Sequence, residues 1–243
     1  MNALIYRFVG LLTENEKCVV CGHTPAKGMA YYRDHMGNVA CGHHQVPVCF
    51  ACTAMCNPAT SIDVPNYGTI CSECASKSID PDIAIRLVEY VHRFYKKLGM
   101  SFPGHKLQLV SVKEMFGLVS EDLGGSVPAA LGLAYNKSEG VYRICVLRNL
   151  SKIAFAGTFA HEILHLWQYG KHISAPAPVC EGFCNLGEYL LLSTIDKAEA
   201  QRRMSNELTD PDPVYGEGFR SLKVLYDAHG WEKVIETMLE FRQ

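Results

Sequence analysis

The chain has almost no net charge. Its 243 residues carry 23 Lys and Arg against 25 Asp and Glu, a formal charge of -2, so no excess of positive charge is available to neutralise phosphates. Nucleic acid is therefore not expected as a partner. Long apolar runs are also missing. The N-terminal stretch from Met1 to Leu12 is broken by Arg7, has neither a basic start nor a small-residue cleavage site, and is too short to span a bilayer. It is expected to be a short packing helix, with no membrane association and no export. Neither a repeat of whole domains nor a low-complexity tract is present. With 48% hydrophobic residues, a buried core is the expectation and disorder is not.

Cysteine is plentiful, with 11 residues. Most lie between Cys18 and Cys74, and Cys145, Cys180 and Cys184 follow far downstream. Without an export signal, paired thiols are expected to be zinc ligands in a reducing cytoplasm rather than disulfides, which makes the protein cytoplasmic.

Texture divides the chain near residue 78. Before it, Gly, Pro, His and Cys dominate and amphipathic periodicity is weak, as in a module whose folding free energy comes from metal. After it, Asp80 is a candidate N-cap, Pro81 fits the first helical position, and Ile85, Val88, Val91, Tyr95 and Leu98 follow at helical spacing up to a stop at Gly99. The spacing predicts strands over 105–112 and 140–147 and a long helix from about Leu150 to Tyr169, capped by Asn149 and followed by Gly170. A further helix is expected from about Val179 to Leu192, a loop over 209–219, and two short helices near 219–228 and 231–242. The expected domains are 1–78 and 79–243.

Within the first domain four pairs share a two-residue gap: Cys18 with Cys21, Cys41 with His44, Cys49 with Cys52, and Cys71 with Cys74. That gap lets both side chains of a pair turn onto one metal from a tight loop, and closed four-ligand sites of this kind are structural. Taken in order, Cys18, Cys21, Cys41 and His44 form one zinc site, and Cys49, Cys52, Cys71 and Cys74 form a second, as in a LIM-type double module. Crossed ligation is the alternative, and His43 is the alternative to His44. Cys56, His23 and His35 fall outside the pairs.

In the second domain AHEILHLW places His161, Glu162 and His165 in the HExxH arrangement. Positions four apart share a helix face, so the two imidazoles can grip one zinc while Glu162 serves as general base. A catalytic zinc needs a third protein ligand. The extended HExxHxxGxxH pattern fails, because Gln168 and Lys171 stand where it requires glycine and histidine. A carboxylate from the next helix is the alternative, and Glu181 in VCEGFCN is the candidate, with Gly182 allowing close helix approach. Glu188, two turns on, either orients an imidazole through its free nitrogen or is a solvated surface acid. Cys180 and Cys184 are expected to be packing thiols. An oxyanion donor could come from Tyr215 or Arg220 in PVYGEGFR.

Four segments in order, namely the module CVVC, CGHH, CFAC, CSEC leading into a helix, then FAHEILHLW, VCEGFCN and DPVYGEGFR, resemble a known family. They are similar to the LIM-domain peptidases that limit organ size in plants, often called the DA-one family, and to their shorter bacterial relatives. The resemblance implies an α+β protein with a LIM-like double zinc module followed by a zincin-type metallopeptidase domain of the HExxH, Glu-ligand kind. It implies one catalytic and two structural zincs, with His161, His165 and Glu181 as catalytic ligands and Glu162 as base, acting on protein or peptide substrates. A protein partner could bind through the module. Plant members are activated by ubiquitin, but this chain has no stretch resembling ubiquitin-interacting helices and a single double module, which argues against ubiquitin here. The competing expectation is an adaptor or scaffold whose peptidase-like domain is inactive or regulatory. Hydrolysis of a non-peptide amide by the same residues is a third.

Overall fold

The computed structural model describes residues 6–9, 15–123, 129–136 and 140–243, and shows a mixed α/β chain. The expected N-terminal helix is corrected where it can be seen. Tyr6–Val9 is a strand, β1, antiparallel to β2 (Ala30–Arg33), which in turn pairs with β3 (Val39–Cys41). The open edge of β2 supplied a backbone partner that no local pattern announces. The rest of that N-terminal segment lies outside the described residues. Buried Asp34 closes the β2–β3 turn, its carboxylate accepting from the Met36 and Asn38 amides and from Met55 N–H at 2.7 Å.

A second hairpin, β4 (Ile62–Val64) with β5 (Gly68–Ile70), leads into the short helix α1 (Ser72–Ser76). Then α2 (Pro81–Lys97) begins as expected, with the Asp80 carboxylate accepting from Ile83 N–H at 3.1 Å and Pro81 in the first turn. The third sheet has the order β6 (His105–Val110), β8 (Tyr142–Leu147), β7 (Gly132–Asn136), with β6 parallel and β7 antiparallel to β8. Helix α3 (Val112–Leu123) and strand β7 were not anticipated. β7 is a short edge strand of Gly, Leu, Ala, Tyr and Asn, whose alternation is too brief to read.

Four helices complete the chain: α4 (Lys152–Gly170), α5 (Ala177–Ser193), α6 (Ala198–Thr209) and α7 (Gly216–Leu239). The cap of α4 is Ser151, whose Oγ accepts from Ala154 N–H at 3.0 Å, and not Asn149. Asn149 instead donates to the carbonyls of Cys74 (3.1 Å) and Lys77 (2.7 Å), fastening the Cys-rich half to the rest. Gly170 is the last residue of α4 rather than its stop, and the left-handed residue beyond it is His172 (φ 56°). The loop expected over 209–219 ends early, because Gly216 and Glu217 already belong to α7. The two terminal helices expected near 219–228 and 231–242 are present as the two arms of α7, separated by non-helical Gly230, where φ is 78°. Helix α6 was also not anticipated.

The main core takes in α2, α4, α5, α7 and the third sheet, but also Cys49, Ala51, Cys56 and Ile70, so it runs across residue 78. Cys18, Ala40, Cys41 and Met55 form a separate small cluster. Tyr67 Oη reaches from the Cys-rich half to the Ala130 carbonyl at 2.8 Å, just ahead of β7. Helix α4 is apolar on almost every side and is buried as expected, with Tyr95 Oη donating to the Ala160 carbonyl at 2.9 Å.

Close approach of α5 to α7 depends on glycine. A Cβ on Gly182 would lie 2.3 Å from the Gly218 carbonyl carbon, and one on Gly218 would lie 2.0 Å from the Pro178 oxygen. The conflicting atoms are backbone, so they cannot swing away. Gly182→Ala is expected to destabilise the protein by about 2 kcal/mol or more, read as a fall in the urea midpoint. An unchanged midpoint would show that the helices can part at no cost.

Candidate metal centres and the cleft

The eight paired residues converge as two clusters, Cys18, Cys21, Cys41 and His44, and Cys49, Cys52, Cys71 and Cys74. The ligand order is sequential, not crossed, and His44 is the member of the first cluster, with His43 beside it at a ring separation of 4.2 Å. Either cluster could hold a metal such as zinc. A tetrahedron of zinc–sulfur bonds of about 2.3 Å has edges of about 3.8 Å. The Cys21 and Cys41 sulfurs stand 3.9 Å apart and those of Cys52 and Cys71 stand 4.0 Å apart. His44 Nε2 is buried with no hydrogen-bond partner, as a ligating nitrogen would be without its ion.

Backbone amides prepare the sulfurs for negative charge. Val20 and Cys41 N–H point at Cys18 Sγ, and Cys71 N–H points at Cys49 Sγ, each at 3.4 Å. In the second cluster, hydrogen bonds from Cys52, Cys56 and Cys74 hold the Cys49 thiol far below its usual range. The hydrogen bond to Cys49 in turn pushes Cys52 up to about 12. Four thiolates cannot coexist there without a cation. Cys56 stays outside the ligand set, buried with its thiol directed at the Ala54 carbonyl.

On α4, His161 Nε2 and His165 Nε2 are 3.2 Å apart, and Glu181 Oε2 from α5 lies 3.2 Å from the first and 3.5 Å from the second. These three separations are close to the edge of about 3.3 Å expected between donors bound to zinc at 2.0–2.1 Å. The residues therefore fit a zinc ion. Burial raises the Glu181 carboxyl, but hydrogen bonds from His161 and His165 outweigh it and hold the group well below the ordinary carboxylate range. Glu181 is thus the anionic member of the set.

Gln168, legible beforehand only as a departure from the extended HExxHxxGxxH pattern, has a definite role. Its Oε1 accepts from His165 Nδ1 at 3.0 Å while its Nε2 donates to the Cys180 carbonyl at 3.0 Å, which fixes the amide orientation. His165 then carries its proton on Nδ1 and offers the Nε2 lone pair. Cys184 Sγ lies 3.5 Å from the same Nδ1, and His161, His165 and Cys184 stand close enough together to form a further group that could hold a metal ion. Burial pushes its thiol up to about 11, and it packs as a neutral group. Cys180 directs its thiol to the Ala175 carbonyl at 3.4 Å.

Glu162 is only 8% exposed, and burial raises its carboxyl against the pull of the two imidazoles. β7 lies directly over it: a Cβ on Gly132 would fall 2.6 Å from Glu162 Cγ and 2.6 Å from Thr158 Cγ2. His161, Glu162, His165, Glu181 and Tyr215 line one cleft of about 490 Å³. Tyr215, at the start of α7, is anchored through its carbonyl to Asn185 Nδ2 (3.3 Å), and it is one of the residues that line the cleft. Burial, then the negative charge of Glu181, raises its phenol, so the group remains a donor. Arg220 is not brought to this site, because its guanidinium donates to the Asp210 carbonyl. Glu188 is not a solvated surface acid. It packs against α4, where a Cβ on Gly157 would meet its Oε1 at 2.5 Å, and among the described residues it bonds neither imidazole.

Gln168→Leu is expected to keep the fold and to weaken metal binding at His161, His165 and Glu181 by roughly 10–100-fold, leaving the two cysteine clusters loaded, as equilibrium dialysis with metal analysis would show. The clusters themselves should differ. Cys49→Ser strikes the main core and should lower the thermal midpoint of the whole chain, whereas Cys21→Ser should loosen mainly the small N-terminal cluster; equal shifts would contradict this division of the core. Comparisons with protein-family models, curated proteins and solved structures give no match, so the chemistry open to this chain is read from its own side chains.

Proposed function

We propose that the protein is a zinc-dependent peptidase whose centre is His161, His165 and Glu181. The observation that carries this reading is the convergence of their three donor atoms at 3.2–3.5 Å on one side of a cleft that also holds buried Glu162. In this reading the Cys-rich half is a LIM-like double zinc module, and the remainder is a zincin-type domain of the DA-one kind.

Zinc, when bound by these donors, supplies Lewis-acid activation of water and of the scissile carbonyl. Glu162 takes the proton of the attacking water on its carboxylate and passes it to the leaving nitrogen. Its burial suits both steps, since a carboxyl raised toward neutrality accepts and releases a proton with similar ease. Gln168 keeps His165 in the ligating tautomer, and the Tyr215 phenol donates where the oxyanion develops.

The free edge of β7 favours an extended polypeptide as substrate. Leu147 N–H bonds the Leu131 carbonyl across to β8, so in the antiparallel register the backbone groups of Gly132, Ala134 and Asn136 face away from β8. Tyr169 Oη already donates to one of them, the Ala134 carbonyl, at 3.3 Å. A peptide laid along this edge can bond the backbone of Gly132 and pass its carbonyls over Glu162.

Glu162→Gln should bind as much zinc as wild type and cleave a digest of unfolded cytoplasmic proteins about 100-fold more slowly or worse. Equal turnover by the two proteins would sink the mechanism. Tyr215→Phe should lower kcat by roughly 10- to 100-fold with little change in KM, since its hydroxyl acts only as negative charge builds on the substrate oxygen; an effect confined to KM would remove it from that role.

A further inference from the structure

The cleft does not end at the metal ligands. It continues into a second lobe, and the two share Leu131, Asn185, Glu188, Arg203, Glu207 and Tyr215. Two of these residues are acids from different helices, Glu188 on α5 and Glu207 on α6. Glu207 is the telling one. It is partly buried, it lines both lobes, and its Oε2 is itself buried with no hydrogen-bond partner among the described residues. A buried carboxylate oxygen with no partner costs stability, so such an oxygen on a residue that lines a cavity marks a place where a small shift of the side chain could let a ligand complete it.

The nearest cation does not complete it. Arg203 gives its Nε to Glu199 at 3.2 Å and its Nη2 to the Ala51 carbonyl at 3.0 Å, so its directed bonds leave the lobe. Asp210, on the lobe wall, adds more negative charge. Burial, then the charges of Glu188 and Asp210, pushes the Glu207 carboxyl well above its usual range, and burial raises Glu188 as well. The carboxyls of Glu188, Glu207 and Asp210 share the lobe with the Arg203 guanidinium, whose positive charge disfavours a divalent cation more than a monovalent one. They suit an ammonium or a guanidinium, which brings several N–H donors and one positive charge.

We propose that this lobe is the subsite for a cationic nitrogen group of the substrate, held by Glu207 and Glu188. The inference rests on the peptidase reading for its link to cleavage, because Asn185 and Tyr215 border both lobes and a group seated there belongs to the chain crossing Glu162. The cation is a Lys or Arg side chain or a free α-ammonium, and the source decides whether the enzyme cuts within chains or next to their ends.

Binding and cleavage are measured separately. The zinc-loaded Glu162→Gln protein is titrated by ligand-detected NMR with N-acetyl-lysine amide, N-acetyl-arginine amide, norleucine amide for the α-ammonium source, and N-acetyl-norleucine amide as the uncharged control. At least one cationic compound is expected to bind roughly tenfold tighter than the control. Adding Glu207→Gln should erase that ratio while the thermal midpoint holds or rises, and Glu89→Gln, at an exposed acid on α2, should leave it intact. Equal binding of all four compounds, or a preference that survives Glu207→Gln, would overturn the subsite. In parallel, wild-type cleavage sites in a proteome digest should carry a basic residue or a free amino terminus at one fixed position. Cleavage with no such preference overturns the subsite and leaves the peptidase standing. Cationic binding lost in Glu207→Gln, together with no cleavage by wild type, upholds the subsite and overturns the peptidase.

Discussion

The seating of α5 against α4 and α7 is the constraint on which the site depends. His161 and His165 come from one helix and Glu181 from the next, so their donor atoms meet within 3.5 Å only if the two helix axes are held to a fraction of an ångström. Gly182, beside the ligand, and Gly218, on the facing helix, remove the side chains that would force α5 outward. Helix α4 in turn cannot retreat, because nearly its whole surface is buried and Tyr95 bonds its Ala160 carbonyl. Packing thus does the work that a flexible ligand loop could not do: it sets the donors before any ion arrives.

The Cys-rich half enters this frame unequally. Its first cluster sits over a small apolar patch of its own, whereas the second is continuous with the main core and with the loop before β7 that Tyr67 holds. A unit whose clusters could hold metal therefore stands behind one wall of the cleft. The electrostatics of the cleft are correspondingly one-sided. Glu162, Glu181, Glu188 and Glu207 all face it, and burial pushes each of their carboxyls upward. Only Glu181 ends well below its usual range, because two imidazoles bond it directly. In the others burial prevails over the pull of His161 and His165 on Glu162 and of Arg203 on Glu188 and Glu207.

Much of this was legible in the residues. The two-residue gaps anticipated the membership of both cysteine clusters, including His44. The HExxH spacing anticipated two imidazoles on one helix face, and Gly182 announced a close helix contact. These succeed because a short gap or a helical repeat converts sequence distance directly into spatial distance. The misreadings share the opposite cause. Tyr6–Val9 became a strand because β2 offered an edge, Ser151 displaced Asn149 as cap because Asn149 was drawn to the carbonyls of Cys74 and Lys77, and Gly216 joined α7 although its loop context suggested otherwise. β7, which bears the free edge over Glu162, is too short and too irregular to reveal itself.

By itself, then, the sequence determined the chemical types present: eight paired side chains able to hold metal in two clusters, two imidazoles and a carboxylate in helical register, and a second carboxylate one helix later. Only the tertiary structure decided which groups share a space. It placed Gln168 on the Nδ1 of His165, turned Arg220 away to the Asp210 carbonyl, kept Tyr215 at the cleft, and brought Glu207 in beside Glu188. The physical reason is that local spacing fixes only neighbours along one element, whereas a cleft is built by elements distant in the chain whose meeting is governed by packing, and packing has no signature in any single segment.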